Sequence, residues 1–110
     1  MSYYPIKVLN QTFTANSTMV VPAGYMITSI SMVNTTANAV TGGIRIGTTD
    51  GGTDIAVAIA IGANAILGIP DATILKTLFA TGSDTTIYLQ AVVAWNSASV
   101  NVSIIISKIA

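Results

Sequence analysis

The sequence predicts an all-β protein: a single-domain antiparallel β-sandwich, jelly-roll-like, with about eight short strands. Short runs in which apolar and polar residues alternate recur along the chain, and Gly, Pro, Asn or Asp bounds each run. Thr, Ser, Ala, Ile and Val dominate and glutamate is absent, which favours strands because β-branched side chains pack well on a pleated surface. A length of 110 residues predicts one domain, residues 1–110, with one core.

The predicted strands follow from these alternating runs. In chain order they are Tyr4 to Leu9, Gln11 to Thr14, Thr18 to Val21, Tyr25 to Val33, Val40 to Thr48, Asp54 to Ile61, Ile66 to Ile69, Thr85 to Trp95 and Ser99 to Ile109. The last two are predicted to form a long antiparallel hairpin. Two four-stranded sheets would then bury their inner faces against each other, with a partly closed barrel as the alternative.

The connections carry recognisable turn chemistry. Pro22-Ala23-Gly24 indicates a tight turn, because proline presets its own φ and glycine accepts a positive φ. Asp50-Gly51 is the strongest hairpin signal, since this pair readily adopts left-handed turn conformations. The segment from Pro70 to Phe79 is predicted to begin a helical turn, from its apolar spacing.

The run from Asp54 to Ile61 is apolar on both faces. One face is bulky and is expected to fill the core, with side chains from Ile55, Val57, Ile59 and Ile61. The other face consists of Ala56, Ala58 and Ala60. Such a thin face suits close approach to a neighbour, so these alanines are the candidate oligomer interface.

Charge is scarce. Charged residues make up 7% of the chain, against about 25% in an average soluble domain, so part of the surface is expected to be buried in an assembly. The four basic and four acidic residues are scattered, which predicts no nucleic-acid partner. The longest uncharged span, Ile55 to Pro70, falls short of the roughly 20 apolar residues of a spanning helix, and no secretory signal is recognised at Met1 to Lys7. We therefore expect synthesis in a cytoplasm and no membrane partner.

The residue types of the chain argue against catalysis. Histidine, cysteine and glutamate are absent, which removes the usual general bases and activated nucleophiles. The aspartates stand at turn signals, where they serve local hydrogen bonds. Asp50 and Asp54 flank glycines as in a calcium loop, but further acidic ligands are lacking and a hairpin turn is the favoured interpretation. Gly42 to Gly47 is not followed by a helix, which argues against phosphate binding. The sequence predicts no enzyme, no cofactor and no metal site.

Two other patterns have ordinary explanations. Four Asn-X-Ser/Thr triplets begin at Asn10, Asn16, Asn34 and Asn101, and in a chain so rich in Ser and Thr they arise from composition. Tyr88 and Trp95 are candidate glycan contacts, because aromatic rings stack on sugars. Their odd separation places them on opposite faces of a regular strand, and a lone tryptophan is more often a core anchor or interface residue.

Three segments resemble small virion proteins of tailed bacteriophages: Val21 to Ile27, Thr41 to Asp54 and Ile87 to Asn96. The resemblance is to the β-sandwich modules of head decoration proteins, head fibres and tail fibres, and it runs from about Val21 to the end. It implies a jelly roll that assembles as a homotrimer, without catalytic residues. At 110 residues the chain leaves no room for a fibre shaft plus a head.

The composition predicts a non-enzymatic protein that assembles, and the resemblance to phage virion modules implies a capsid decoration or head-fibre subunit. It would be made in the host bacterial cytoplasm and localised on the virion, as a homo-oligomer bound to the major capsid protein or another virion protein. Tyr3 and Tyr4 are the candidate anchor to the shell, with an ordinary first strand as the alternative. Two other functions stay open: a carbohydrate-binding or receptor-binding tail-fibre module that recognises a host-surface glycan, and a self-assembling filament or shell subunit.

Overall fold

The computed structural model describes residues 6–69 and 82–109. Within these ranges the chain forms eight β-strands and no helix. They are β1 (Ile6–Phe13), β2 (Ser17–Val21), β3 (Tyr25–Asn34), β4 (Val40–Gly47), β5 (Ala56–Ile61), β6 (Ile66–Ile69), β7 (Thr85–Ala91) and β8 (Val100–Lys108). The first two predicted runs form the single strand β1.

The strands form two antiparallel sheets of four. Sheet A has the order β1-β8-β3-β6 and sheet B the order β2-β7-β4-β5. The pairs β1 with β8, β2 with β7, β3 with β6 and β4 with β5 are nested, as if one long hairpin had been rolled up. This is the jelly-roll arrangement, so the predicted sandwich is confirmed and the barrel alternative is wrong.

The predicted hairpin of the last two strands is wrong. Strand β7 pairs with β2 and β4 in sheet B, whereas β8 pairs with β1 and β3 in sheet A. The chain between them therefore crosses from one sheet to the other. Most of the described strands have partners far away in sequence, whereas β4 and β5 are consecutive.

The core lies between the two sheets. Strand β8 contributes four inward side chains, Val100, Val102, Ile104 and Ile106, each with 0% of its surface exposed. The opposite layer comes from sheet B, with Ile44, Ile46, Ile87 and Leu89, also at 0%. Full burial of one such side chain is worth about 1.5–3 kcal/mol, and this packing holds the sheets together.

A bulge in β3 changes which residues face outwards. The alternation predicts Tyr25, Ile27, Ser29, Ser31 and Val33 on one face, but the pairing with β8 shifts register between Ile27 and Ser29. Ile27 and Ile30 are consequently both buried. Thr28 supplies the extra residue, and its hydroxyl donates a 3.0 Å hydrogen bond to the carbonyl oxygen of Ile105.

The predicted hairpin at Asp50-Gly51 is present, since β4 and β5 pair antiparallel around it. The pairing is irregular: Ile46 is opposite Ala56, while Ile44 is opposite Ile59. Between these two pairs β4 advances by two residues and β5 by three. The extra residue in β5 is a bulge, which breaks the predicted alternation of its side chains.

The irregular pairing corrects the predicted alanine face. Ala56 lies in the core with 1% exposed, because the bulge turns its side chain inwards. Val57 is 58% exposed and does not fill the core. Ala58 and Ala60 are exposed, as a contact surface requires.

The predicted anchor Tyr3-Tyr4 and the predicted helical turn from Pro70 to Phe79 lie outside the described residues. In the two described ranges, no helix has the length and hydrophobicity needed to cross a membrane.

Candidate functional site

As far as the structure describes it, the outer surface of sheet A is uncharged, and we call it the sheet A face. Its side chains follow from strand register and exposure: Ile6, Val8, Asn10 and Thr12 from β1; Asn101, Ser103, Ile105 and Ser107 from β8; Met26, Ser29, Ser31 and Val33 from β3; Ile66 and Gly68 from β6. None of these residues carries a charge. A sheet surface of this kind can be covered without desolvating an ion.

One end of the sheet A face is apolar. Ile6 is 67% exposed, Val8 is 60% exposed and Ile105 is 37% exposed. Val8 and Ile105 are direct cross-strand partners, so their side chains form a continuous patch. A hollow of about 290 Å³ adjoins it, lined by Met26, Thr28, Ser107, Lys108 and Ile109. Contiguous exposed apolar side chains are a feature of interaction surfaces.

The middle of the sheet A face is an amide and hydroxyl ladder. The side-chain nitrogen of Asn10 donates to Oδ1 of Asn101 at 2.8 Å and to Oγ of Ser103 at 2.7 Å. The nitrogen of Asn101 donates to Oδ1 of Asn10 at 3.2 Å and to Oγ1 of Thr12 at 3.0 Å. Because these polar groups satisfy one another, covering them costs far less than burying free amides.

A third Asn-X-Ser/Thr triplet has a structural role. Asn34 is 1% exposed, and its amide nitrogen donates to the carbonyl oxygens of Asn38 and Gly62 at 2.7 and 3.0 Å. Its oxygen accepts from the backbone nitrogen and the hydroxyl of Thr36 at 3.0 and 2.8 Å. All four hydrogen-bonding positions of the amide are used, so this triplet fastens two loops together.

The outer surface of sheet B carries a polar depression, which we call the Tyr88 hollow. It measures about 190 Å³, and the described residues that line it are Asn16, Ser17, Thr18, Asp50, Tyr88 and Gln90. Strand β7 provides Tyr88 and Gln90. The turn between β1 and β2 provides one wall, and the β4–β5 hairpin provides Asp50 on another.

Gln90 fixes the hairpin wall of the Tyr88 hollow. This amide is only 8% exposed; its oxygen accepts from the backbone nitrogen of Gly51 at 2.7 Å, and its nitrogen donates to Oδ1 of Asp50 at 2.6 Å. The hairpin also lies directly over Gly47, where an added Cβ would come within 2.4 Å of the carbonyl carbon of Gly52. Glycine at position 47 is therefore what allows the hairpin to lie so close to the sheet.

Trp95 fixes the opposite wall. Its indole nitrogen donates to Oδ1 of Asn16 at 2.7 Å, and the same oxygen accepts from the backbone nitrogen of Ala91 at 3.0 Å. The indole ring stacks on Phe13 of the core, with 6.5 Å between ring centroids and 11° between ring planes. Trp95 thus packs against the core as an anchor, which was the alternative to a glycan contact. It is not among the described residues that line the hollow.

Of the two predicted glycan contacts, only Tyr88 lies at the hollow. Asn16, Asp50 and Gln90 were not predicted to join it. The sequence does mark Gln90 as unusual, because it is an amide within the apolar run Ile87 to Ala91. Nothing in the sequence places Asn16 and Asp50 at the hollow, since their proximity depends on pairing across the sheet.

Asp54 belongs to the turn. Its two carboxylate oxygens accept from the backbone nitrogen and the hydroxyl of Thr48, at 2.7 and 2.6 Å. This supports the interpretation of Asp50 to Asp54 as a hairpin. Among the residues that the structure describes, no group of three or more His, Cys, Asp or Glu side chains is placed to hold a metal ion.

The fold and these surfaces define a class: a jelly-roll sandwich with one neutral, partly apolar outer face and one polar depression on the opposite sheet. Comparison of the chain with protein-family models, with curated proteins and with solved structures gave no match.

Proposed function

We propose that this chain is a non-enzymatic structural subunit of a bacteriophage virion. It assembles as a homo-oligomer, a trimer by our proposal, and binds the major capsid protein or another virion protein as a decoration or head-fibre subunit. The observation that carries the proposal is the sheet A face, which is uncharged, apolar at one end and hydrogen-bonded within itself in the middle.

The energetics of the sheet A face favour burial. Ile6 and Val8 expose more than half of their surfaces, and covering apolar surface contributes about 25 cal/mol per Å². The amide ladder keeps its hydrogen bonds when covered, since Asn10 and Asn101 donate to groups on the same face. None of the side chains assigned to the face is charged, and Lys108 lies beside it, in the lining of the adjoining hollow. Association therefore gains the apolar term with a small cost for desolvating polar groups on the face itself.

The area of the sheet A face indicates whether this face alone is large enough for a specific interface. With strands about 4.8 Å apart and a rise of about 3.3 Å per residue, the sheet A face covers roughly 500 Å². A specific interface buries about 800 Å² per partner, so neighbouring surfaces must contribute. In a ring, each subunit uses two different patches. The exposed residues Val57, Ala58 and Ala60 at the edge of sheet B are the second patch that we propose.

The assignment to a virion rests on two supports. Jelly rolls recur in viral capsid proteins, as well as in lectins and cupins. The segments Thr41 to Asp54 and Ile87 to Asn96, which resemble phage virion modules, coincide with β4 and its hairpin and with β7 and the Trp95 turn. Fold alone does not define function, so the neutral face carries the greater weight.

Light scattering on the purified chain over a wide concentration range tests the assembly. We expect a discrete trimer for the native chain and a monomer for Ile105→Asp, which places a charge in the apolar patch. Thr86→Asp, at an exposed position of sheet B, is the matched control and should stay trimeric. A native chain that persists as a folded monomer at high concentration contradicts the proposal, and an open-ended polymer favours the filament alternative.

The virion location needs a separate measurement. Mass spectrometry of phage particles purified from cells that carry this gene should detect the chain in a fixed ratio to the major capsid protein. Its absence from intact particles would overturn the virion assignment while leaving the oligomer intact.

A further inference from the structure

We propose that the Tyr88 hollow is a binding site for one ring of a neutral saccharide. The site lies on sheet B, whereas the proposed assembly surface is chiefly the sheet A face. The inference therefore goes beyond the proposed function and does not depend on it.

The hollow presents hydrogen-bonding groups of both kinds that the fold leaves unused. In the described part of the chain, the hydroxyls of Ser17, Thr18 and Tyr88 make no hydrogen bond, and neither does the amide nitrogen of Asn16. Asp50 uses Oδ1 to accept from Gln90, and its other oxygen remains an acceptor. Sugar hydroxyls both donate and accept, so a polyhydroxylated ring matches this mixture of groups better than an anion, which only accepts.

The Tyr88 side chain is partly exposed, and it lines the hollow. Its cross-strand neighbour on β2 is Thr18, which also lines the hollow. Its neighbour on β4 is Gly47, over which the β4–β5 hairpin lies. An amphipathic aromatic surface of this kind packs against the C–H face of a sugar while its hydroxyl bonds at the edge.

The polar walls are held in place before a ligand arrives. Asn16 is fixed by Trp95 and by the backbone of Ala91, and Asp50 is fixed by the buried amide of Gln90. Ordering side chains on binding costs about 0.5–1.5 kcal/mol for each flexible group. The Tyr88 hollow avoids that cost for Asn16, whose amide nitrogen can donate to a ligand, and for Asp50, whose second carboxylate oxygen can accept from one.

Size and charge narrow the ligand class. A volume of about 190 Å³ is smaller than the roughly 300–1,000 Å³ of sites for drug-sized molecules, which suits one sugar ring with the rest of a glycan in solvent. Asp50 is the one charged residue among the described residues that line the hollow, and it is negative. Acidic sugars are therefore disfavoured relative to neutral ones.

NMR titration of the intact, isotopically labelled protein tests the site. The probes are the methyl glycosides of glucose, galactose, mannose and N-acetylglucosamine, with glucuronate as the acidic comparison. We expect at least one neutral glycoside to produce saturable shifts at the amides of Asn16 to Thr18, Gly51 and Tyr88, in the millimolar range. Glucuronate should bind more weakly than that glycoside.

Three variants separate binding from folding. Tyr88→Ala should weaken binding of the glycoside about tenfold. Tyr88→Phe should reduce the affinity by a smaller factor, because the aromatic ring remains. Thr86→Ala, on the same face of β7 but outside the hollow, should bind like the native chain. Equal binding by Tyr88→Ala in a spectrum that is otherwise native, or no saturable shift with any of the four glycosides, would overturn the proposal.

Discussion

The indole nitrogen of Trp95 donates a 2.7 Å hydrogen bond to Oδ1 of Asn16, which joins the β1–β2 turn to the chain that follows β7. The same tryptophan stacks on Phe13 at the end of β1. One side chain thus ties a strand of sheet A, a turn at the surface and the exit from sheet B. The position of the turn beside the Tyr88 hollow is consequently set by the core.

Replacing Trp95 with Phe should separate the two roles of this side chain. The aromatic contact with Phe13 remains, but the hydrogen bond to Asn16 is lost, and we expect a loss of about 1 kcal/mol in the free energy of unfolding. Urea denaturation followed by circular dichroism measures it. Tyr88→Phe, which removes a hydroxyl without a hydrogen bond in the described structure, is the control. Equal stabilities of the two variants would contradict the role assigned to the indole nitrogen.

Asn34→Ala should lower the free energy of unfolding. The change removes a fully bonded amide and leaves the carbonyl oxygens of Asn38 and Gly62 without their side-chain donor. A loss of about 1–3 kcal/mol is expected, since unpaired buried polar groups carry that penalty. Asn38→Ala provides the comparison, because the side chain of Asn38 is exposed. If thermal unfolding shows both variants to be equally stable, the loop-fastening role of Asn34 is wrong.

Ser97→Gly should stabilise the protein. Asn96 and Ser97 have φ values of 53° and 61°, and the nitrogen of Ala98 donates to the carbonyl oxygen of Trp95 at 2.9 Å, which is a type I′ turn. A left-handed conformation costs an ordinary residue about 1–2 kcal/mol, so glycine should recover part of that cost. The same change at Ser83, which has no positive φ, should not stabilise. A lower melting temperature for Ser97→Gly would contradict this description of the turn.

Gly43→Ala should destabilise strongly. Gly43 has a φ of +82°, and an added Cβ would lie 2.6 Å from the carbonyl oxygen of Ile59. Left-handed strain and the backbone clash together should cost more than about 2 kcal/mol. Gly68→Ala is the matched control, because nothing lies within 4 Å of a Cβ there. Chemical denaturation of both variants measures the difference, and a tolerated Gly43→Ala would show that β4 and β5 are less closely paired.

Assembly through the sheet A face should be insensitive to salt. Screening weakens interactions between charges, and this face has none among its described residues. We expect the dissociation constant of the proposed trimer to change by less than about twofold between about 0.05 and 1 M sodium chloride. Sulfate should strengthen association because it favours apolar burial. Analytical ultracentrifugation provides the measurement. Dissociation at high sodium chloride would indicate that charged surfaces hold the subunits together.

The sequence predicted what depends on local pattern. The Asp50-Gly51 hairpin is a two-residue signal and needs no distant partner. The bulge at Thr28 was not visible, because one inserted residue shifts the alternation without changing the composition of β3. Hydrophobic periodicity locates strands but does not assign partners, so the predicted hairpin of β7 and β8 failed.

The same limit applies to the Tyr88 hollow. Tyr88 was identified as a residue type suited to sugars, but its neighbours come from distant parts of the chain. Asp50 is 40 residues from Gln90 and Asn16 is 79 residues from Trp95. Such proximity follows from which strands are adjacent in sheet B, and a single sequence does not specify that order.

The nested pairing has a consequence for biosynthesis. Ile6 is opposite Ser107 in the sheet, so β1 leaves the ribosome long before its partner β8 has been translated. Among the described strand pairs, only β4 with β5 closes a short loop, and partners that are distant in sequence are slow to meet. β1, with Ile6 and Val8, therefore stays without its β8 partner in the nascent chain until β8 has left the ribosome, and the sandwich cannot be completed before then.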